Sequence, residues 1–258
     1  MVDRFEGTVA IVTGAGSGIG RATALRLAAE GAVVVVADVR KDAAEETVAE
    51  IMTTGARGEA IAGDVLQPEF LDDLVDGTVR RHGRLDVLHN NVGFGRRGTL
   101  VDLGDDEWQR GIDGNLGATF RGIRAALRVM AEQRSGAIVN TASLAGVRKV
   151  PGVVPYYGVA KAGVIQLTRE AAVEAGAYGV RVNAVVPGSV RTPAFESYLE
   201  QIGGQDVYAE QLPLRRIGRP EDIAAAVAFL ASSDAVGITG VALPVDAGVS
   251  AVLAEPKL

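Results

Sequence analysis

The 258-residue chain has no cysteine, two histidines and one tryptophan. Without cysteine there is no disulfide framework and no thiolate zinc site. His82 and His89 lie on either side of the turn-like HGRLD, which argues against an imidazole metal centre. No apolar run reaches the about 18 residues that a membrane span needs. The first residues, MVDRFEGTVA, carry no apolar signal core. The net charge is −6 with both signs intermixed, and no basic face or lysine-rich tail stands out. Neither nucleic acid nor an anionic membrane surface is therefore an expected partner. What remains is a soluble, cytoplasmic protein. Its 48% hydrophobic and 22% charged residues suit a packed core and not a disordered chain.

What is present is an alternation. Short runs rich in β-branched residues fall at 8–13, 32–38, 58–64, 85–91, 136–142, 180–186 and 240–246. Segments with apolar residues at helical spacing lie between them, at 18–30, 41–54, 68–82, 105–133, 156–177 and 220–232. The strand runs are apolar throughout, as in a parallel sheet covered on both faces. The pattern predicts one α/β domain over 1–258, a Rossmann-type doubly wound sheet of about seven mostly parallel strands. The stretch 189–219 is long and irregular, and long loops in compact domains are usually lids or binding loops.

TGAGSGIG (13–20) follows the first strand and opens a helix. Gly14, Gly18 and Gly20 suit a tight turn with close backbone approach, and the helix N-terminus can hold a pyrophosphate. The second strand ends in Asp38, where a carboxylate can accept from the ribose hydroxyls of adenosine and repel a 2′-phosphate. This favours NAD over NADP, although Arg40 could accept a phosphate. Asp64 and Val65 follow the third strand, and Asn90–Gly93 the fourth. Both face the carboxyl edge of the sheet, where Asp64 could bond an adenine amine. Taken alone, each reads equally well as an ordinary turn.

Two of the five tyrosines stand together in YYGVAK (156–161). A free phenol titrates near ~10, and an adjacent ammonium lowers that value. Tyr157 and Lys161 are at i, i+4 and share a helix face, whereas Tyr156 does not. Tyr157 is thus the candidate acid/base group. Ser143 ends the fifth strand, where its hydroxyl could hold a substrate oxygen. Asn115 is a poor residue for a helix interior; it could open the helix locally and hold a water that relays protons to Lys161.

TGAGSGIG, Asp38, NNVG, Asn115, Ser143 and YGVAK, in this order, resemble the short-chain dehydrogenase/reductases, in the subgroup of about this chain's length. PGSVRTP (187–193) and the C-terminal GRPEDIA, ITG and PVDAG segments extend the likeness over nearly the whole chain. The resemblance implies an oxidoreductase that transfers a hydride between NAD(H) and a secondary alcohol or ketone. It implies Tyr157 as acid/base, Lys161 lowering its pKa and bonding the nicotinamide ribose, Ser143 orienting substrate and Asn115 anchoring the relay water. Gly14, Ser17, Gly18, Ile19, Gly20, Asp38, Asp64, Val65, Asn91, Tyr157, Lys161, Val190 and Thr192 are the implied cofactor contacts. A homotetramer pairing through 105–133 and 156–177 is implied as well. An NADPH-dependent 3-oxoacyl-type reductase is the alternative within this chemistry, and a non-catalytic dinucleotide sensor or scaffold the alternative outside it. Val92 and Ala247 depart from the family's usual alanine and glycine. Phe94, Leu144, Val150, Val153, Phe195, Tyr198 and Leu199 are the candidate substrate contacts, which makes the expected substrate largely apolar. Arg96 and Arg97 could hold an anionic group, although a solvated loop is the plainer reading.

Overall fold

β1 (Val9–Thr13) and β2 (Val33–Asp38) are buried along their whole length. They are interior strands of a seven-stranded sheet with β3 (Gly58–Ala62), β4 (Val87–Asn90), β5 (Gly136–Thr141), β6 (Val180–Pro187) and β7 (Ala242–Val245). The structure, a computed structural model, describes residues 3–191, 195 and 205–252. The strand order is β3-β2-β1-β4-β5-β6-β7, and every pairing is parallel.

Alternation along each strand gives the sheet two packed faces, and a smaller cluster of Ala142, Val164, Ile165, Ala184 and Val186 lies apart from the two main ones. Ala10 and Val12 of β1 face one cluster, which Leu27, Ile51, Ile223 and Val227 complete. Ile11 faces the other, with Leu74, Leu88, Ile123 and Met130. The first cluster is covered by α1 (Gly18–Ala29), α2 (Lys41–Thr53) and α8 (Pro220–Ala231). The second is covered by α3 (Phe70–His82), α5 (Ala118–Gln133) and α6 (Pro155–Gly176). The chain crosses from β3 back past β1 to β4, so the connections leaving β1 and β4 diverge. The divergence opens a crevice at the carboxyl ends of the strands, where ligands bind in such sheets.

The helix expected over 105–133 is interrupted. α4 (Asp105–Ile112) passes through a π-turn at Asp113–Gly117 before α5 begins. Asn115 explains the break: its Nδ2 donates to the Gly111 carbonyl at 2.9 Å, taking the place of a backbone partner. The irregular stretch 189–219 holds a short helix, α7 (Gln205–Ala209). Its stem is closed by a bridge between Val190 and Gly218. None of the helices among the described residues is long and apolar enough to cross a membrane.

Candidate active site

The cofactor end is made of backbone. Gly14 takes φ +62°, and a Cβ at Gly20 would lie 2.2 Å from the Gly14 carbonyl oxygen. Only glycine at 20 lets the first turn of α1 press onto the loop. Ser17 caps α1 without a side-chain bond to its first turn. These features fit a group that bonds the free N–H groups there, as a pyrophosphate does. Asp38 is buried at the end of β2. Its Oδ2 accepts from Gly16 N at 2.9 Å and its Oδ1 from Arg40 N at 3.0 Å. The Arg40 side chain is largely exposed, with Nε 3.8 Å from Asp38 Oδ1.

Asp64 folds into a turn, accepting from Leu66 N at 2.9 Å, and Val65 is buried beside it. Asn91 clamps the loop: Nδ2 donates to the carbonyls of Thr13 at 3.1 Å and Gly14 at 3.4 Å. Val92 fits because Gly14 leaves room; a Cβ at Gly14 would meet Val92 Cγ2 at 3.2 Å. Val190 is buried in the stem of the 189–219 stretch. Thr192 lies outside the described residues.

At the reacting end, the Ser143 hydroxyl lies close enough to the Tyr157 phenol to act on its titration. Ser143 also caps the short turn Leu144–Gly146 by accepting from Ala145 N at 3.1 Å. Lys161 is 1% exposed, with Nζ 2.8 Å from the Thr141 carbonyl and 5.7 Å from the centre of the Tyr157 ring. Tyr156 points away, into α4: a Cβ at Gly111 would strike its ring at 2.3 Å. The two tyrosines thus leave α6 in different directions, and only Tyr157 lies beside Lys161.

The electrostatics differ from the expected scheme in one respect. Burial pushes the Tyr157 phenol above its ordinary value, and the nearby Ser143 hydroxyl, not Lys161, opposes this. The ammonium lies against the ring and spends a proton on the Thr141 carbonyl. Burial in turn lowers the Lys161 pKa to about 8.

Asn115 is 0% exposed and fully engaged. Its Oδ1 accepts from Phe94 N at 3.0 Å, and its Nδ2 donates to Phe94 O at 2.9 Å. It thereby pins the strip 93–95 over the reacting residues. A Cβ at Gly93 would lie 2.7 Å from Lys161 Nζ, and one at Gly95 3.1 Å from the Tyr157 ring. Gly93 closes the NNVG motif read from the sequence; Gly95 was not singled out, and its glycine spacing after NNV was the available signal.

The expected substrate contacts separate. The Phe94 ring packs onto the π-turn, where a Cβ at Gly114 would meet it at 2.4 Å, and Arg110 sits over it. It is a packing residue here. Val150 and Val153 line a cavity of about 620 Å³ together with Leu100, Ala145, Val154 and Val159. Leu144 borders it in sequence. Phe195 meets Tyr208 edge to face, with ring centres 5.4 Å apart. Tyr198 and Leu199 lie outside the described residues. Arg96 is held by Glu107 in an exposed ion pair.

A family model described as enoyl-(acyl carrier protein) reductase matches residues 14–250. The chain belongs to the short-chain dehydrogenase/reductase family. Levodione reductase of Leifsonia aquatica is 38% identical, the match covering 96% of each chain. The 3-oxoacyl-[acyl-carrier-protein] reductase FabG of Thermotoga maritima is 36% identical, covering 95% of this chain and 98% of that one. The crystal structure of levodione reductase superimposes with a TM-score of 0.92 at 37% identity, covering 96% of this chain and 100% of that one. That of NAD+-bound xylitol dehydrogenase does so with 0.88 at 36%, covering 95% and 99%. The chain is therefore an oxidoreductase of this family, whose members use a nicotinamide dinucleotide.

Proposed function

We propose that the chain is an NAD-dependent enzyme that interconverts a secondary alcohol and a ketone, with Tyr157 as the acid/base. The carrying observation is the buried Lys161 ammonium 5.7 Å from the centre of the Tyr157 ring, with the Ser143 hydroxyl near the phenol. The dinucleotide, when bound, supplies or accepts the hydride. In the reductive direction the Tyr157 O–H gives its proton to the substrate oxygen, while Ser143 holds that oxygen in place. In the oxidative direction the phenolate takes the hydroxyl proton. Lys161 serves this exchange from a fixed position on the Thr141 carbonyl, and Asn115 fixes the strip above it. Because burial holds the phenol protonated at neutral pH, reduction should proceed there, and oxidation should speed up as the pH rises.

The cofactor contacts are proposed to be Gly14, Ser17, Gly18, Ile19, Gly20, Asp38, Asp64, Val65, Asn91, Tyr157, Lys161, Val190 and Thr192. Asp38 supports NAD: a 2′-phosphate there would face a buried carboxylate that already serves Gly16. The apolar lining of the 620 Å³ cavity beside the start of α6 supports a largely apolar substrate. A homotetramer is the proposed assembly. Phe120, Val173 and Tyr178 lie exposed along α5, α6 and the turn after α6, on faces that a second copy could cover.

Tyr157→Phe tests the reading. It keeps the ring, so NADH binding should persist, while turnover should fall by at least the ~10²–10⁴-fold of a general acid–base group. Tyr156→Phe is the control and should keep most activity. The reverse result would move the chemistry to the other tyrosine. Turnover of a ketone panel with NADPH equal to that with NADH would instead favour the acyl-reductase reading.

A further inference from the structure

His89 stands in the middle of β4 and is 0% exposed. An imidazole at a central strand position is costly to bury unless its polar atoms are used. One of them is: Nε2 lies 2.8 Å from Thr141 Oγ1. The other, Nδ1, is buried without a partner.

The surrounding bonds decide which nitrogen carries the proton. The Asn91 Nδ2 donates to the carbonyls of Thr13 and Gly14, so the amide cannot be turned, and its Oδ1 faces Thr141. That oxygen needs a donor, and the Thr141 hydroxyl is 3.3 Å from it. A hydroxyl has one proton. Given to Asn91, it cannot go to His89, so Nε2–H must be the donor toward Thr141. The opposite tautomer would leave Asn91 Oδ1 without its donor and bury an unbonded Nδ1–H. The Nε2–H form leaves a single orphan, a lone pair on Nδ1.

Thr141 is thereby held on two sides. Its hydroxyl receives from His89 and gives to Asn91, which clamps the glycine loop. Its backbone carbonyl, at the end of β5, receives the Lys161 ammonium at 2.8 Å. We infer that His89 is a positioning residue: as a fixed Nε2–H tautomer it locks Thr141, and through Thr141 it ties the cofactor loop to the carbonyl that holds the Lys161 ammonium. The titratable groups around that ammonium are Tyr157 on its own helix and His89 on β4. Burial and the nearby ammonium pull the His89 pKa down to about 3, so the ring stays neutral through the working range and adds no second cation.

The tautomer can be read directly. In the uniformly ¹⁵N-labelled full chain, long-range ¹H–¹⁵N correlation should show His89 Nε2 as the protonated nitrogen and Nδ1 as the bare one. Neither signal should move between pH 5 and 8. His82→Gln assigns the pair, since the chain has two histidines. A protonated Nδ1, or a ring that titrates in that range, would overturn the inference.

The second arm rests on the acid/base reading of Tyr157 and Lys161, and the tautomer measurement does not, so failures of the two are told apart. His89→Leu and Thr141→Val should each lower kcat/KM by about tenfold, the scale of one lost buried hydrogen bond. Each should also shift the pH profile of kcat, which a merely structural filler would leave in place. The double variant should lose little more than either single one. Thr141→Ser, which restores the hydroxyl, should recover most of the loss. Should His89→Leu not fold, the Thr141 pair and the tautomer decide. A folded Thr141→Val with the wild-type pH profile and kcat/KM would refute the positioning role.

Discussion

The two ends of the site use glycine for opposite purposes. At the cofactor end, Gly20 is required by backbone: its α-carbon faces the Gly14 carbonyl, which cannot move without moving the loop. At the reacting end, Gly93 and Gly95 are required by side chains, the Lys161 ammonium and the Tyr157 ring. The first end is a shape set by the chain's path. The second is a set of buried polar groups, Asn115, Thr141 and Lys161, each with its partners assigned. Damage should therefore separate into loss of binding at one end and loss of turnover at the other.

Paired alanine variants test that separation and carry the largest expected effect. Gly20→Ala would place its methyl 2.2 Å from a backbone oxygen. It should abolish measurable cofactor binding and lower stability by roughly 1–3 kcal/mol, the usual cost of overpacking. Gly93→Ala puts a methyl 2.7 Å from Nζ, the end of a side chain that can be pushed aside. It should keep cofactor binding within a few-fold and lose about 10²-fold in kcat, as misplacement of a reacting group by about 1 Å does. Isothermal titration and steady-state kinetics on both would decide. If Gly93→Ala loses binding and turnover together, the two ends are not separable.

Lys161 sharpens the reacting end through pH. Its folded pKa of about 8 lies below the ordinary 10.5 because burial penalises the charge. Below pH 8 the amine is charged in both states, and folding bears the full desolvation cost. Between 8 and 10.5 the unfolded chain binds a proton that the folded one does not, so stability rises with pH. Relative to Lys161→Met, the wild type should gain on the order of 3 kcal/mol across that window. The raised Tyr157 phenol works in the opposite sense only above pH ~10. Urea denaturation of both proteins at pH 7.5, 9 and 10 checks this. A difference that stays flat would mean the ammonium is better solvated than its burial implies.

The cofactor end has its own, smaller test. Asp38→Ser removes the carboxylate that faces the adenosine ribose and leaves Arg40 beside it. The ratio of kcat/KM for NADH over NADPH should fall by about tenfold or more, on the scale of a removed like-charge contact. A wild type that already prefers NADPH would make Asp38 a loop-holding residue alone, bonded to Gly16.

The sequence made the cofactor end readable because its constraints are local. A strand, a glycine turn and a helix start fall within a dozen residues, and parallel strands buried on both faces are apolar throughout. Tyr157 could be told from Tyr156 because helical spacing is also local. What stayed hidden depends on distance in space. The Phe94 ring looked like a pocket wall, but it fills the hollow at Gly114. That hollow lies on the π-turn where Asn115 bonds the Gly111 carbonyl. Lys161 was expected to act on the phenol, and i, i+4 spacing did place it beside the ring. Spacing says nothing of the Thr141 carbonyl, which holds the ammonium to itself. His89 and Thr141, within buried strands, carry no sequence signal that separates a network from ordinary sheet residues.

One local feature shows the sequence departing from its own geometry. Ala247 stands where relatives of this type usually have glycine, and it takes φ +56°, next to Gly248 at +88°. The turn is kept because its surroundings hold it. Asp246 accepts from Gly248 N at 3.0 Å and Ser250 N at 2.8 Å, and the Ala247 carbonyl receives Leu214 N at 3.1 Å. An L-residue in this region costs roughly 1–2 kcal/mol. A glycine avoids that cost but loses ~0.5–1 kcal/mol more in chain entropy on folding. Ala247→Gly should therefore stabilise the chain by about 0.5–1 kcal/mol, or roughly 1–4 °C in Tm at this length. Kinetic constants should stay within twofold, since the residue touches neither end of the site. A lower Tm would show that the Ala247 methyl has packing of its own that outweighs the backbone strain.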